Sequence, residues 1–143
     1  MAGYRRLHLD EIPTVRFDDE ALPDWKPVRR TLDVDAFGTN AYVGADVGDV
    51  VIERHDELPD DGEVAHHELY LVIGGRARFT VDGQTFEVEP GGIVYIDDPV
   101  LMREAVAAEP QTVVFAVGSP PGQAFTPSEW EDRFIARGRT DTP

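Results

Sequence analysis

The chain has 143 residues, 41% apolar and 29% charged, and its 28 acidic against 13 basic residues give a net charge of −15. That is the composition of one ordinary domain with a single core, neither disordered nor built to live in a membrane. A surface this negative disfavours nucleic acid and anionic membranes, and the lack of cysteine excludes disulfides, thiol catalysis and cysteine-ligated zinc.

No apolar run approaches the ~20 residues that span a bilayer. The opening MAGYRRLHLD has no apolar signal-peptide core. The expectation is a cytoplasmic protein without nucleic-acid or membrane partners, and the missing cysteines are compatible with a reducing compartment.

In chain order, residues 1–30 read as a polar arm packed on the rest of the domain, since Pro13, Pro23 and Pro27 interrupt any long helix or central strand. Leu7, Leu9 and Ile12 fit a short edge strand, and His8 reads as a surface residue. Trp25 is expected to pack on the outside of the barrel, because an indole left in water forfeits roughly 2–3 kcal/mol. Residues 31–120 form the barrel itself. Val50, Val51 and Ile52 open a strand that ends at Glu53, Arg54 and His55, and 56–63 (DELPDDGE) is an acidic loop.

The organising stretch is 68–102. Leu69, Leu71 and Ile73 alternate with Glu68, Tyr70 and Val72; Ala77, Phe79 and Val81 alternate with Arg78 and Thr80; Phe86 and Val88 alternate with Thr85 and Glu87. This is the period of a β-strand. Asp82-Gly83 falls between two such runs, and both residues tolerate the positive φ of a type I′ hairpin turn. A last strong strand spans 111–117. Residues 121–143 supply a loop, a short helix and a tail. Thr126-Pro127-Ser128-Glu129 reads as a capping box, which predicts a helix to about Arg137, stopped at Gly138, with Trp130 and Phe134 on one face.

Eight or more short strands with regular turns indicate an all-β sandwich or jelly roll. Within it, Glu68, six intervening residues and Gly75 match the second half of the first cupin motif, whose fuller form has two histidines just upstream. Gly83, Pro90-Gly91, 93–96 and Asp97-Asp98-Pro99 resemble the second cupin motif, one hairpin further on. Over residues 38–117 the chain resembles a small single-domain cupin. The resemblance implies a double-stranded β-helix, or jelly-roll barrel, with the short helix appended.

It also implies what is altered. A metal cupin takes two histidines and a glutamate from the first motif and one histidine from the second. Here the places of the paired histidines fall within 61–64, that of the last histidine falls on Met102, and only Glu68 is matched. On a strand, His66 and Glu68 share a face while His67 points away. The pair is half of a metal site, or else a hydrogen-bonded carboxylate at the barrel mouth, and His55, Glu53 or Glu104 would have to supply further ligands. His55, beside Asp56 and Glu57, reads as a surface histidine. Met102 reads as an apolar pocket floor. Glu104 would need a cation, with Arg78 and Arg103 available, or would be a solvated partner at the rim. Tyr70 and Tyr95 either line the cavity or fill the core.

The expected ligand pocket is thus His66, Glu68, Tyr70, Arg78, Tyr95, Met102 and Glu104. The expected function is small-molecule binding in the barrel without the three-histidine metal site, and no cofactor is expected. The alternative is a metal-dependent dioxygenase or isomerase that uses a divalent ion on an altered set around His66 and Glu68. By analogy with cupin barrels, and because Leu7, Leu9, Ile12, Val15 and Phe17 need cover, a homodimer is expected.

Overall fold

The computed structural model describes residues 3–59 and 64–143, so the expected places of the paired first-motif histidines lie largely outside the described residues. A single 3-10 turn, Leu9–Glu11, precedes strands β1 (Thr14–Arg16) and β2 (Asp24–Lys26) and helix α1 (Val28–Leu32). Strands β3 (Gly38–Gly44), β4 (Val50–His55), β5 (His67–Gly74), β6 (Ala77–Val81), β7 (Gln84–Val88), β8 (Ile93–Ile96), β9 (Arg103–Ala107) and β10 (Thr112–Ser119) follow. Helix α2 (Trp130–Arg137) and strand β11 (Arg139–Asp141) complete the fold. None of the described helices is long and apolar enough to cross a membrane.

The strands make two antiparallel sheets. One has the order β11-β1-β2-β3-β10-β5-β8 and the other β4-β9-β6-β7. The alternation read from the sequence decides which side chains meet between them: Tyr70, Val72, Phe79, Ala105, Val114 and Ala116 are buried there in one cluster. The Asp82-Gly83 turn forms as its residues predict, with φ of 48° and 77°. Gly75 is needed for two reasons. Its φ is +66°, and a Cβ would sit 2.3 Å from Thr112 Oγ1, the hydroxyl that bonds the backbone of Arg76.

The N-terminal segment departs from expectation. Leu7, Leu9 and Ile12 form no strand; they pack with Val28 and Leu32 of α1 over Ala41 and Phe115, on the outer face of the larger sheet. Helix α1 is itself unexpected, a five-residue turn that starts directly after Pro27. Val15 is buried in β1, and Phe17 stacks edge-on to Phe134 at 5.0 Å. These apolar residues therefore find cover within their own chain.

The helix at the other end is shorter than the capping box predicts. It begins at Trp130, its N-cap is Glu129 with no side-chain bond, and Gly138 ends it as expected. Trp130 and Phe134 do share a face, with rings 5.3 Å apart. What they cover is Trp25, at 5.2 and 6.4 Å. Trp25 is 1% exposed, with its Nε1 donating to Asn40 Oδ1 at 2.8 Å, so it is an internal wall rather than an outer ornament.

Candidate functional site

Strand parity turns Glu68, Tyr70 and Val72 of β5 inward, and a cavity of about 660 Å³ opens above Glu68. Glu68 Oε1 accepts three hydrogen bonds: from the Tyr70 hydroxyl at 2.6 Å, from Arg103 Nη1 at 2.9 Å and from His55 Nε2 at 3.3 Å. His55 Nε2 also lies 3.2 Å from Glu57 Oε1, and its Nδ1 donates to the Glu53 carbonyl at 2.7 Å. Three strands meet here. His55 ends β4 and pairs with Arg103, the first residue of β9, after a register shift beyond Ile52. That bulge re-aims the strand end toward β5.

Arg103 is 1% exposed. All three of its guanidinium nitrogens are engaged: Nε and Nη2 donate to the Leu101 carbonyl at 3.1 and 3.0 Å, Nη2 to the Asp98 carbonyl at 3.3 Å, and Nη1 to Glu68. The charges settle accordingly. Burial alone would raise the Glu68 pKa, but hydrogen bonds from His55 and Tyr70 and the imidazolium charge outweigh it and hold the carboxyl at about 2. Burial would lower that of His55, yet its bonds to Glu57 and Glu68 lift it to about 10. Burial raises Glu57 and Glu53 above the ordinary carboxylate value, and pushes the Tyr70 hydroxyl well up, with the Glu68 charge adding to it. Two carboxyl groups, Glu57 and Glu68, thus face the imidazole of His55 and the guanidinium of Arg103.

His55, Glu57 and Glu68 each offer a ligand atom within 4.8 Å of the others, so this group could hold a metal ion. One imidazole and two carboxylates suit zinc, iron or manganese. The Nδ1 bond to the Glu53 carbonyl is the kind of contact that fixes a ligating histidine. The same atoms also form a charge-balanced network without an ion. In that state Glu68 Oε1 is occupied by its three donors.

The residues expected from sequence divide between the cavity and the outer surface. His66, Glu68 and Tyr70 line the cavity; the His66 ring lies 5.7 Å from Phe125, and His66 stands outside the metal-capable group found among the described residues. Arg78 lies exposed on β6, turned away from buried Ala77 and Phe79, and pairs with Glu87 at 3.1 Å. Tyr95 is 56% exposed and bonds His67 across β5 and β8 at 2.9 Å. Met102 and Glu104 flank Arg103, whose inward parity on β9 turns both outward. The inward position thus falls one residue beyond Met102, and it is arginine. Arg103 serves Glu68 rather than Glu104.

Sequence reasoning read His55 as a surface histidine and only a supplementary ligand, left Glu57 within the acidic loop, and missed the wall made by Trp25, Trp130 and Phe134. The four-residue spacing of the last two was visible; that they cover Trp25 was not. Two buried polar atoms near this wall, Thr39 Oγ1 and Glu131 Oε1, have no hydrogen-bond partner among the described residues.

No family model matches the chain, and no curated protein matches it. Solved structures do. A sugar phosphate isomerase from a cupin superfamily, from Silicibacter pomeroyi, is 15% identical over 86% of this chain and 77% of its own, with a TM-score of 0.63. An uncharacterized conserved protein with a double-stranded β-helix domain, from Klebsiella pneumoniae, is 18% identical over 89% and 93%, at 0.62. A Cupin 2 conserved barrel domain protein from Salinispora arenicola is 21% identical over 96% and 98%, at 0.58. Identities this low carry the fold and nothing finer. With its two facing antiparallel sheets matched almost end to end by such barrels, the chain is a small cupin-fold domain.

Proposed function

We propose that this domain binds a small organic molecule in its barrel cavity, above a polar floor that works without the three-histidine metal site. The observation that carries the reading is the triple hydrogen bond on Glu68 Oε1, at the base of a cavity of about 660 Å³. A cavity of that size is in the range of small-ligand sites, and a few fixed polar groups in an otherwise apolar wall set orientation. Thermal-shift titration with divalent metals tests the metal-free part. Weak, non-saturable shifts are expected; a strong saturable stabilisation by one metal would count against it.

A second reading is favoured by the His55 geometry: a metal-dependent enzyme of dioxygenase or isomerase type, with His55, Glu57 and Glu68 as ligands in place of the expected His66 and Glu68. Elemental analysis of protein purified without chelator separates the two. Stoichiometric metal that disappears in His55→Ala would establish the second.

We also propose a homodimer. Its support is no longer the N-terminal segment but the outer face of β5 and the edge strand β8, where Ile73, Ile93 and Tyr95 are 43%, 61% and 56% exposed. Light scattering should give twice the 15.9 kDa of one chain.

A further inference from the structure

We infer that the cavity selects a small organic cation, an alkylated or quaternary ammonium, over neutral and anionic ligands; this rests on the cavity being the binding site. Two features of its lining converge on that chemistry. The first is an aromatic wall. Trp25, Trp130, Phe134 and Phe17 all line the cavity, and their rings touch in sequence at 5.2, 5.3 and 5.0 Å. Indole and phenyl faces carry the negative side of the ring quadrupole, which attracts a cation and repels an anion.

The second feature is charge. Glu53, Glu57, Glu68, Glu129 and Glu131 line the cavity, while among the described residues no lysine or arginine does. Residues 60–63 are Asp-Asp-Gly-Glu and residues 1–2 Met-Ala, so no undescribed side chain is cationic. Part of this charge is already matched. Arg103 and His55 serve Glu68, His55 serves Glu57, and Arg29 Nε holds Glu131 Oε2 at 2.9 Å. Glu53 and Glu129 make no ion pair among the described residues, and Glu131 Oε1, in a residue 3% exposed, has no hydrogen-bond partner among them.

A phosphate or carboxylate ligand would meet the reverse: like charges on one side, aromatic rings on the other and no guanidinium fork to grip it. A neutral apolar ligand would satisfy the rings and leave the glutamates unmatched. An ammonium group satisfies both.

The two tryptophans of the chain both line the cavity, so their fluorescence reports its occupancy directly. Three arms are titrated: ammonium compounds graded from trimethylamine through choline to benzyltrimethylammonium, the neutral choline isostere 3,3-dimethylbutan-1-ol, and glucose 6-phosphate. Saturable quenching is expected from at least one ammonium, with affinity about tenfold above its neutral isostere, and no response to the phosphate. The preference should shrink as salt rises. Glu53→Gln, which leaves the floor bonds in place, should narrow the gap between choline and its isostere without shifting the melting temperature downward. Equal binding of choline and the isostere, or tighter binding of glucose 6-phosphate, would overturn the charge class while leaving the cavity reading intact. Silence of the whole ammonium series overturns the inference too, and response of the other two arms then decides the cavity reading separately.

Discussion

The two sides of the cavity are built on different terms. The floor is a closed set: His55, Glu68, Tyr70 and Arg103 come from three strands and Glu57 from the loop after β4, and each charge has an opposite charge within 3.3 Å. The wall under α2 is an open set, held by ring contacts, the buried ion pair Arg29–Glu131 and the surface pairs Arg30–Asp132 and Arg137–Asp19, with Thr39 Oγ1 and Glu131 Oε1 left unpartnered among the described residues. Satisfied low-dielectric networks rigidify what they join, whereas a segment held by few partners opens locally at low cost. The floor is therefore the fixed side of the cavity, and the wall is the side with latitude to move.

The floor breaks at greatest cost. Glu68→Gln removes the charge that balances Arg103, whose side chain is 1% exposed, and an uncompensated buried cation costs about 3–5 kcal/mol. Urea denaturation should show that loss; a variant as stable as the parent would mean that Arg103 finds relief elsewhere.

The same network predicts a stability optimum with two flanks. The His55 pKa rises from 6.5 to about 10, so its contribution is fully present below 6.5 and is lost as pH climbs through 10. Glu68 is depressed from 4.5 to about 2, so its contribution is present above 4.5 and is lost as pH falls through 2. Thermal melts across pH should therefore peak between 4.5 and 6.5, and His55→Gln should flatten the alkaline flank.

The wall should yield more gently. Trp130→Ala deletes ring contacts to Trp25 and Phe134, each worth about 0.5–1.5 kcal/mol, from a half-buried residue. A loss of about 1–3 kcal/mol is expected, with faster amide exchange confined to α2 and its neighbours. Uniform acceleration across β5 and β10 would erase the distinction between the two sides. The smallest effect belongs to the surface pair Arg30–Asp132, which ties α1 to α2 with the aspartate side chain 75% exposed. Arg30→Ala should cost less than about 1 kcal/mol in the same denaturation series, and less still in high salt.

Legibility in the sequence follows the same division. Strand alternation, the Asp82-Gly83 turn and the Glu68–Gly75 spacing are local signals, and each of them survives in the fold. Glu68 was visible because a strand sets its parity from its neighbours. Arg103 was hidden by a single residue of register, since counting from Pro90-Gly91 through an irregular connection lands on Met102. His55 and Glu57 looked like a strand end running into an acidic loop; only the bulge in β4 and its pairing to β9 bring them to Glu68. The aromatic wall was hidden for a further reason. Trp25 and Trp130 are far apart in the chain, and nothing local to either names the other.

The pairing of β11 with β1 has a consequence for how the cavity comes into being. Arg139–Asp141 lies antiparallel to Thr14–Arg16, at the edge of the larger sheet, directly after the helix that walls the cavity. The barrel core, from β3 to β10, holds all the strands that build the floor. On a ribosome, then, the floor can assemble while the wall is still unmade, and Trp25 lacks the cover of Trp130 and Phe134 until α2 has emerged. During that interval the nascent chain is a nearly finished barrel with an open, aromatic flank, the stage at which a chaperone has something to hold.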